Sequence, residues 1–303
     1  MAGREAGDTL LRADYLIIGS GYGGAVAAMR LAGSDADAPG AAGNPRVVVL
    51  ERGREYGLGD FPYDIEDLPS HVRMVRTGAS ASGYADALFN VHLGVENADP
   101  CATEADREKG SDRSAADVLV GSGLGGTSLI NANVAERPQP HVFAKRAWPR
   151  EFRDAPGLLD TAYAEVADRL GVTRYTGDAE REFPKYSALR RLGGALGHEA
   201  RPANIAVTTR PRGNASRSAV GISATCTNPV GVEQSPCTDC GNCVTGCNVG
   251  AKNTLDRNLL RLAKSRGAEF YTGATVQSIQ PLAPGDMARD KGYRWKVIVR
   301  PTV

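Results

Sequence analysis

Four cysteines in the last quarter of the chain have a spacing suited to metal or redox chemistry. Cys237, Cys240, Cys243 and Cys247 follow the pattern C-x2-C-x2-C-x3-C, in which the thiolates of a bacterial ferredoxin loop converge on iron. The pattern departs from ferredoxins because Asn248 stands where proline is usual and because there is a single copy. Three interpretations stay open: an iron–sulfur cluster, a structural Zn²⁺, and thiols that are free or paired in disulfides.

A glycine pattern near the start of the chain is typical of diphosphate binding. Gly19, Gly21 and Gly24, with Gly23 among them, form G-x-G-x-x-G between an apolar run and the small-residue run 25–32. This context predicts a buried strand, a tight turn and a helix whose first amides face a diphosphate. The first glycine permits the turn, the second lets the ligand approach the backbone, and the third lets helix and strand pack closely.

An acidic residue follows the second predicted strand. Residues 46–50 read Arg-Val-Val-Val-Leu and are followed by Glu51 and Arg52. A carboxylate at this position of a dinucleotide fold accepts hydrogen bonds from ribose hydroxyls. The connection from the glycine turn is longer than usual, and we attribute this to the Ala/Gly/Pro loop 33–45. The alternative is a solvated strand end paired with a neighbouring arginine.

A second glycine-rich segment, residues 118–134, begins with the strand-like run Val-Leu-Val. Its glycines allow the backbone to approach a ligand, and its two asparagines offer both donors and acceptors. The alternative is a glycine-rich connector between strands. The residues predicted to contact a cofactor here are Gly121, Gly125, Gly126, Ser128, Asn131 and Asn133.

In this order along the chain, these segments resemble the glucose-methanol-choline (GMC) oxidoreductases, most closely their cholesterol-oxidase-like bacterial branch. The resemblance includes residues 250–255 and covers nearly the whole chain. It implies that the diphosphate of FAD lies at the first glycine turn and that residues 121–133 lie alongside the flavin. Relatives that attach the flavin covalently have a histidine just before the residue matching Asn131. Because Ile130 stands there, we expect non-covalent FAD.

The resemblance assigns further roles near and beyond the end of the chain. Val276, in the predicted strand 274–279, matches a valine whose backbone recognises the adenine. Family members place the histidine that removes the alcohol proton near their C terminus, so the catalytic base is expected beyond Val303 and no catalytic residue is named. His141 and His198 are interpreted as surface or packed histidines.

Together these features predict an α/β protein with a Rossmann-like FAD-binding domain and an α+β substrate domain that is begun but incomplete. The predicted FAD-binding domain is 1–150, and the substrate domain begins within 151–235. Residues 236–303 contain the cysteine-rich loop and return to the FAD-binding domain. We therefore expect a truncated chain, inactive by itself.

The charge balance argues against polyanionic partners. There are 36 Lys and Arg residues against 35 Asp and Glu residues, so no basic field is available for nucleic acid or an anionic membrane. The first apolar run is too short for a signal peptide or a membrane span. A cytoplasmic protein is expected.

The resemblance implies an FAD-dependent oxidoreductase that acts on CH–OH donors. Such an enzyme takes hydride from an alcohol onto the flavin, with O2 or an electron carrier as the acceptor. A sterol or other hydrophobic alcohol is the expected substrate class. The alternatives are a flavin/iron–sulfur electron-transfer dehydrogenase subunit, since some related sugar dehydrogenases carry a cluster in a cysteine-rich insert, and an NAD-binding Rossmann dehydrogenase.

Overall fold

A computed structural model gives the fold and describes residues 10–33, 44–64, 66–76, 81–98, 104, 113–174, 183–209, 226–285 and 292–302. In this described part the helices are α1 (Tyr22–Leu31), α2 (Pro140–Phe143), α3 (Arg150–Asp154), α4 (Asp160–Arg169), α5 (Pro184–Ala195) and α6 (Leu259–Ser265). The strands are β1 (Tyr15–Ile18), β2 (Val47–Leu50), β3 (Val72–Arg76), β4 (Phe89–Ala98), β5 (Arg113–Gly121), β6 (Thr173–Arg174), β7 (Asn204–Ile205), β8 (Cys226–Thr227), β9 (Glu233–Gln234), β10 (Glu269–Tyr271), β11 (Ala274–Pro281) and β12 (Trp295–Pro301).

A parallel sheet with the order β1-β2-β10 forms the centre of the fold. Strand β2 is the central strand. Its Val47 pairs with Tyr15 of β1, and its Val48 pairs with Glu269 of β10. The whole of β2 is buried, as expected for a continuous apolar strand with both faces covered. The predicted α/β fold, with a strand, a glycine turn, a helix and a second strand, is confirmed.

Helix α1 packs between this sheet and α6. The buried face of α1 consists of Ala25, Ala28 and Met29, and its small side chains bring the helix backbone close to its neighbours. On α6, Leu259 and Ala263 are buried in the same apolar cluster. Burial of this shared face orients α1, and therefore fixes the direction in which the glycine turn points.

A second sheet positions the second glycine-rich segment. Its order is β3-β4-β5, with β3 parallel and β5 antiparallel to β4. Strand β5 ends at Gly121, so the last residues of the strand are the first residues of the second glycine-rich segment. An apolar cluster that includes Tyr56, Phe61, Leu88 and Leu129 packs beneath it.

The described residues between 151 and 235 form short helices and two-residue strand pairs. Strand β6 pairs with β7, and β8 pairs with β9. Isolated bridges join Val134 to Ile205 and Val207 to Lys252, so the 204–207 segment lies between the glycine segment and residues near 252. The predicted domain boundaries stay a prediction.

No helix in the described ranges has the length and apolar character needed to cross a bilayer. The expectation of a cytoplasmic protein stays a prediction.

Gly24 is the point where α1 approaches the sheet most closely. A Cβ atom at this position would lie 2.0 Å from the carbonyl oxygen of Gly19 and 3.3 Å from the side chain of Ile17. The third glycine of the pattern therefore has the packing role that its position predicts.

We expect Gly24→Ala to lower the free energy of unfolding by about 2–3 kcal/mol, because the added methyl group must push the helix from the strand. Gly23→Ala is the matched control, since a Cβ there has no atom within 4 Å and alanine favours a helix over glycine by about 1 kcal/mol. Urea unfolding without FAD measures both. Equal stabilities for the two variants would contradict this account of the packing.

Candidate functional site

The first glycine turn leaves an open surface at the start of α1. Gly19 has a φ of +89°, and its amide donates to the carbonyl of Leu50 at 2.8 Å, which ties the turn to the end of β2. Gly21 is the N-cap of α1, with a φ of −66° and no capping side chain among the described residues. A Cβ at Gly21 or Gly23 would meet no atom within 4 Å. The first amides of the helix are therefore accessible to an anion.

The second glycine segment crosses the first turn at backbone contact distance. Gly126, with a φ of +58°, lies so close to the turn that a Cβ on it would be 2.9 Å from the Cα of Gly21. Gly121 packs against the same stretch, since a Cβ there would lie 2.8 Å from the Gly126 carbonyl oxygen. The structure thus brings together two predicted segments about a hundred residues apart.

Ser20 and Glu51 join the two glycine segments through hydrogen bonds. One carboxylate oxygen of Glu51 accepts from the Ser20 amide at 3.0 Å and from the Ser20 hydroxyl at 2.6 Å. The other oxygen accepts from the Gly53 amide at 2.8 Å. The Ser20 hydroxyl oxygen in turn accepts from the Gly125 amide at 2.9 Å. Glu51, which is 7% exposed, therefore connects β2, the first turn and the second glycine segment.

This network gives Glu51 a structural role that sequence reasoning missed. A carboxylate offers about four acceptor positions, and three are used by the protein. The predicted contact with ribose hydroxyls stays a prediction. Among the described residues, Oε1 accepts a single hydrogen bond and has room for a second. Ser20 was not predicted at all. The signal that could have found it is a small hydroxyl residue inside the glycine pattern, beside the strand end that carries the acid.

The residues after Glu51 continue the contact with the second segment. Gly53 lies against Gly123, since a Cβ on Gly53 would be 2.3 Å from the Gly123 amide nitrogen. The predicted site residue Arg52 accepts a hydrogen bond through its carbonyl from the Thr302 hydroxyl at 2.7 Å. The end of β2 is therefore fixed on both sides.

The predicted asparagines lie at the far end of the second segment. The side-chain amide of Asn131 donates to the hydroxyl of Tyr22 at 3.0 Å. The side-chain oxygen of Asn131 accepts from the backbone amide of Asn133 at 3.1 Å. Burial raises the pKa of Tyr22 above its usual value, so the group stays a neutral hydroxyl. Asn131 thus fastens the segment to the first residue of α1.

Ser128 has a supporting position below the segment. Its hydroxyl donates to the Gly125 carbonyl at 2.7 Å and accepts from the Leu255 amide at 3.0 Å. It therefore holds the turn Gly126–Leu129 against Leu255–Arg257, and whether it also contacts a cofactor stays a prediction.

Val276 lies close to the carboxyl end of β2. It pairs with Val299 at a register shift in the β11–β12 hairpin. Two residues earlier, the Ala274 amide donates to the backbone carbonyl of Glu51 at 2.9 Å. The placement is compatible with the predicted adenine contact, which stays a prediction.

Two buried polar atoms beside the second segment have no hydrogen-bond partner within the described ranges: Ser122 Oγ and Asp256 Oδ1. The latter lies 3.4 Å from where a Cβ on Gly125 would stand. Burial raises the pKa of Asp256 above its usual value, so a proton is held there to higher pH. Unpaired buried polar atoms are costly, and both of these lie in or beside the second glycine segment.

The four cysteines of the predicted metal loop line a single small cavity together with Val207 and Lys252. All four are free thiols, and burial raises the pKa of Cys237 to about 11. Among the residues that the structure describes, no group of three or more His, Cys, Asp or Glu side chains is arranged to hold a metal ion. The prediction of an iron–sulfur or zinc site at Cys237, Cys240, Cys243 and Cys247 is therefore not supported. The four residues share one cavity, but their side chains are not arranged as a set of metal ligands.

Comparison with known proteins identifies the family. Residues 13–294 match the family model described as GMC oxidoreductase, so the chain belongs to the GMC oxidoreductase family, as the motifs predicted. It is 30% identical over 271 residues to a cholesterol oxidase of Acinetobacter baumannii, covering 89% of this chain and 41% of that protein. A cholesterol oxidase of Mycobacterium tuberculosis is 29% identical over 276 residues, covering 90% and 40%.

A third relative is an uncharacterised GMC-type oxidoreductase of M. tuberculosis, 27% identical over 271 residues, covering 89% of this chain and 33% of that protein. The chain spans about two fifths of the length of the two cholesterol oxidases.

We expect Glu51→Gln to lower the free energy of unfolding by about 2 kcal/mol even without a cofactor. The amide keeps one acceptor oxygen but turns an N–H₂ group toward either Ser20 or Gly53, both of which donate in the wild-type protein. Thermal or urea unfolding measures the loss. The exposed Glu55→Gln is the matched control and should change stability little. A Glu51→Gln protein as stable as this control would contradict the structural role of Glu51.

Proposed function

We propose that the chain binds FAD non-covalently across its two glycine segments, and that the complete protein oxidises an alcohol. The observation that carries the proposal is the backbone cradle at Gly21, open on its outer side and backed by Gly126. A diphosphate needs close approach to amide groups that side chains do not cover.

Within this proposal, the halves of FAD are held by different elements. The first turn, with Gly19, Gly21 and Gly23, would hold the diphosphate against the positive end of the α1 dipole. Glu51 would accept a hydrogen bond from the ribose at its remaining acceptor position, and the backbone of Val276 would face the adenine. The segment 121–133 would lie along the flavin.

The chemistry supplied by bound FAD is acceptance of a hydride equivalent by its ring system. The chain contributes binding and orientation, and no residue in its described part is assigned as the base that takes the alcohol proton. The division into an FAD-binding part, 1–150 and 236–303, and a substrate part beginning in 151–235 belongs to the same proposal.

We propose a sterol or other hydrophobic alcohol as the substrate class and O2 as the acceptor. Two relatives are named cholesterol oxidases, and each matches about nine tenths of this chain. O2 is proposed over an electron carrier because both of these relatives are named oxidases.

We expect Gly21→Ala to weaken FAD binding at least about tenfold while leaving the fold intact. The φ of −66° at Gly21 suits alanine, and the added methyl group meets no protein atom within 4 Å, so it projects into the space assigned to the diphosphate. Titration of the purified apo-protein followed by flavin fluorescence gives the dissociation constant.

The matched control is Gly194→Ala in the exposed helix α5, where a Cβ also meets nothing within 4 Å. It should bind FAD as the wild type does. Unchanged affinity in Gly21→Ala would remove the diphosphate assignment. Wild-type protein that binds NAD but not FAD would instead establish the NAD-dependent alternative.

We also expect the 303-residue chain to retain FAD without reducing it when mixed with cholesterol in the absence of oxygen. The chain spans about two fifths of the length of the two cholesterol oxidases, and no residue in its described part is assigned as the base. Flavin absorbance after anaerobic mixing measures the reduction. Rapid bleaching by the chain alone would show that its own residues suffice for the chemistry. A longer form extended to the length of the cholesterol oxidases is the positive control.

A further inference from the structure

Lys252 is a buried lysine whose ammonium group is surrounded by backbone carbonyls. The residue is 2% exposed. Its Nζ donates to the carbonyl oxygens of Asn131 at 2.5 Å, Cys243 at 2.9 Å and Leu129 at 3.2 Å. Every proton of the ammonium group therefore has an acceptor inside the protein.

The backbone of Lys252 is fixed independently of its side chain. It forms an isolated bridge with Val207, and its carbonyl accepts from the side-chain amide of Gln234 at 3.3 Å. Because the backbone of Lys252 is fixed by these contacts, the fold determines where its ammonium group lies. A lysine at the surface would instead extend its ammonium group into water.

The three carbonyls belong to two segments that are separate in sequence. Leu129 and Asn131 lie in the second glycine segment, and Cys243 lies in the cysteine loop. The ammonium group of Lys252 bonds to both segments. It is therefore a cross-link between the cysteine loop and the chain that we assign to the flavin.

Burial of this charge is costly, which argues against a role in packing alone. Desolvation lowers the pKa of Lys252 to about 8, and the ammonium hydrogen bonds go to neutral carbonyls rather than to a carboxylate. Methionine or leucine would fill a similar volume without that cost. An ammonium group has three donors and can therefore bind several backbone carbonyls at once, which an apolar side chain cannot do.

Asn131 connects the lysine contact to a side chain of α1, not to the backbone of the first glycine turn. Its carbonyl accepts from Lys252, while its side-chain amide donates to the Tyr22 hydroxyl at 3.0 Å. The backbone of the first turn is instead linked to the second segment through Ser20, which bonds to Gly125 and Gly123. Lys252 therefore acts at residues 129–131, away from the amides assigned to the diphosphate.

We propose that Lys252 is a positioning residue for the flavin half of the cofactor. It holds residues 129–131 in the shape that accepts the flavin, and none of its hydrogen bonds among the described residues reaches the turn assigned to the diphosphate. The inference rests on the proposed FAD function. It predicts that loss of the ammonium group affects FAD but not a ligand that lacks the flavin.

The test compares FAD with ADP, which carries the adenosine and diphosphate groups alone. Lys252→Met should weaken FAD binding about tenfold and change ADP binding by less than about twofold, measured by calorimetric titration of the apo-protein. The exposed Lys264→Met is the matched control and should alter neither affinity. A general loss of structure would weaken both ligands together, so the ratio of the two constants is specific to positioning.

If Lys252→Met does not fold, Lys252→Gln is measured in its place, because its amide retains donors but is shorter, and the same FAD-selective loss is required. Equal effects on FAD and ADP, or no effect on either, would overturn the inference while leaving the proposed function intact. Wild-type protein that binds ADP but not FAD would overturn the proposed function, and this inference with it.

Discussion

The structure depends on one constraint: two glycine segments must meet at backbone distance without a side chain between them. Gly126 lies against Gly21, and Gly53 against Gly123, at separations that a single Cβ atom would violate. The contact is held by the Glu51 carboxylate, which gathers amide and hydroxyl groups from both sides through Ser20. Because those donors are buried, their pairing with one carboxylate is stabilising, and any loss of the carboxylate leaves several donors unpaired at once.

The remaining elements orient this contact. The parallel sheet and the apolar face that α1 shares with α6 set the direction of the first turn, and the second sheet delivers β5 into the second segment. At the other end, Lys252 holds the carbonyls of residues 129 and 131 and links them to the cysteine loop. A rigid backbone cradle with few side chains suits a ligand recognised by its diphosphate and by its planar ring.

The sequence was sufficient for the features that depend on local patterns. An apolar run, a glycine turn and a small-residue helix predicted β1 and α1, and the family resemblance carried by those motifs is confirmed. The roles of Ser20 and Lys252 were missed because each has partners more than a hundred residues away in sequence, Gly125 for Ser20 and Asn131 for Lys252, and no local pattern reports such pairs. Of the three interpretations of the cysteines, the iron–sulfur and zinc sites are not supported by the described residues, since spacing along the chain does not fix the distances between the thiols.

The central claim is that both glycine segments contact one FAD molecule. Hydrogen–deuterium exchange of the apo-protein with and without FAD tests it directly, because exchange reports each amide in turn. The account predicts slower exchange on FAD addition at residues 20–24 and also at 123–131. Protection confined to one segment, or absent from both while FAD is bound, would contradict it.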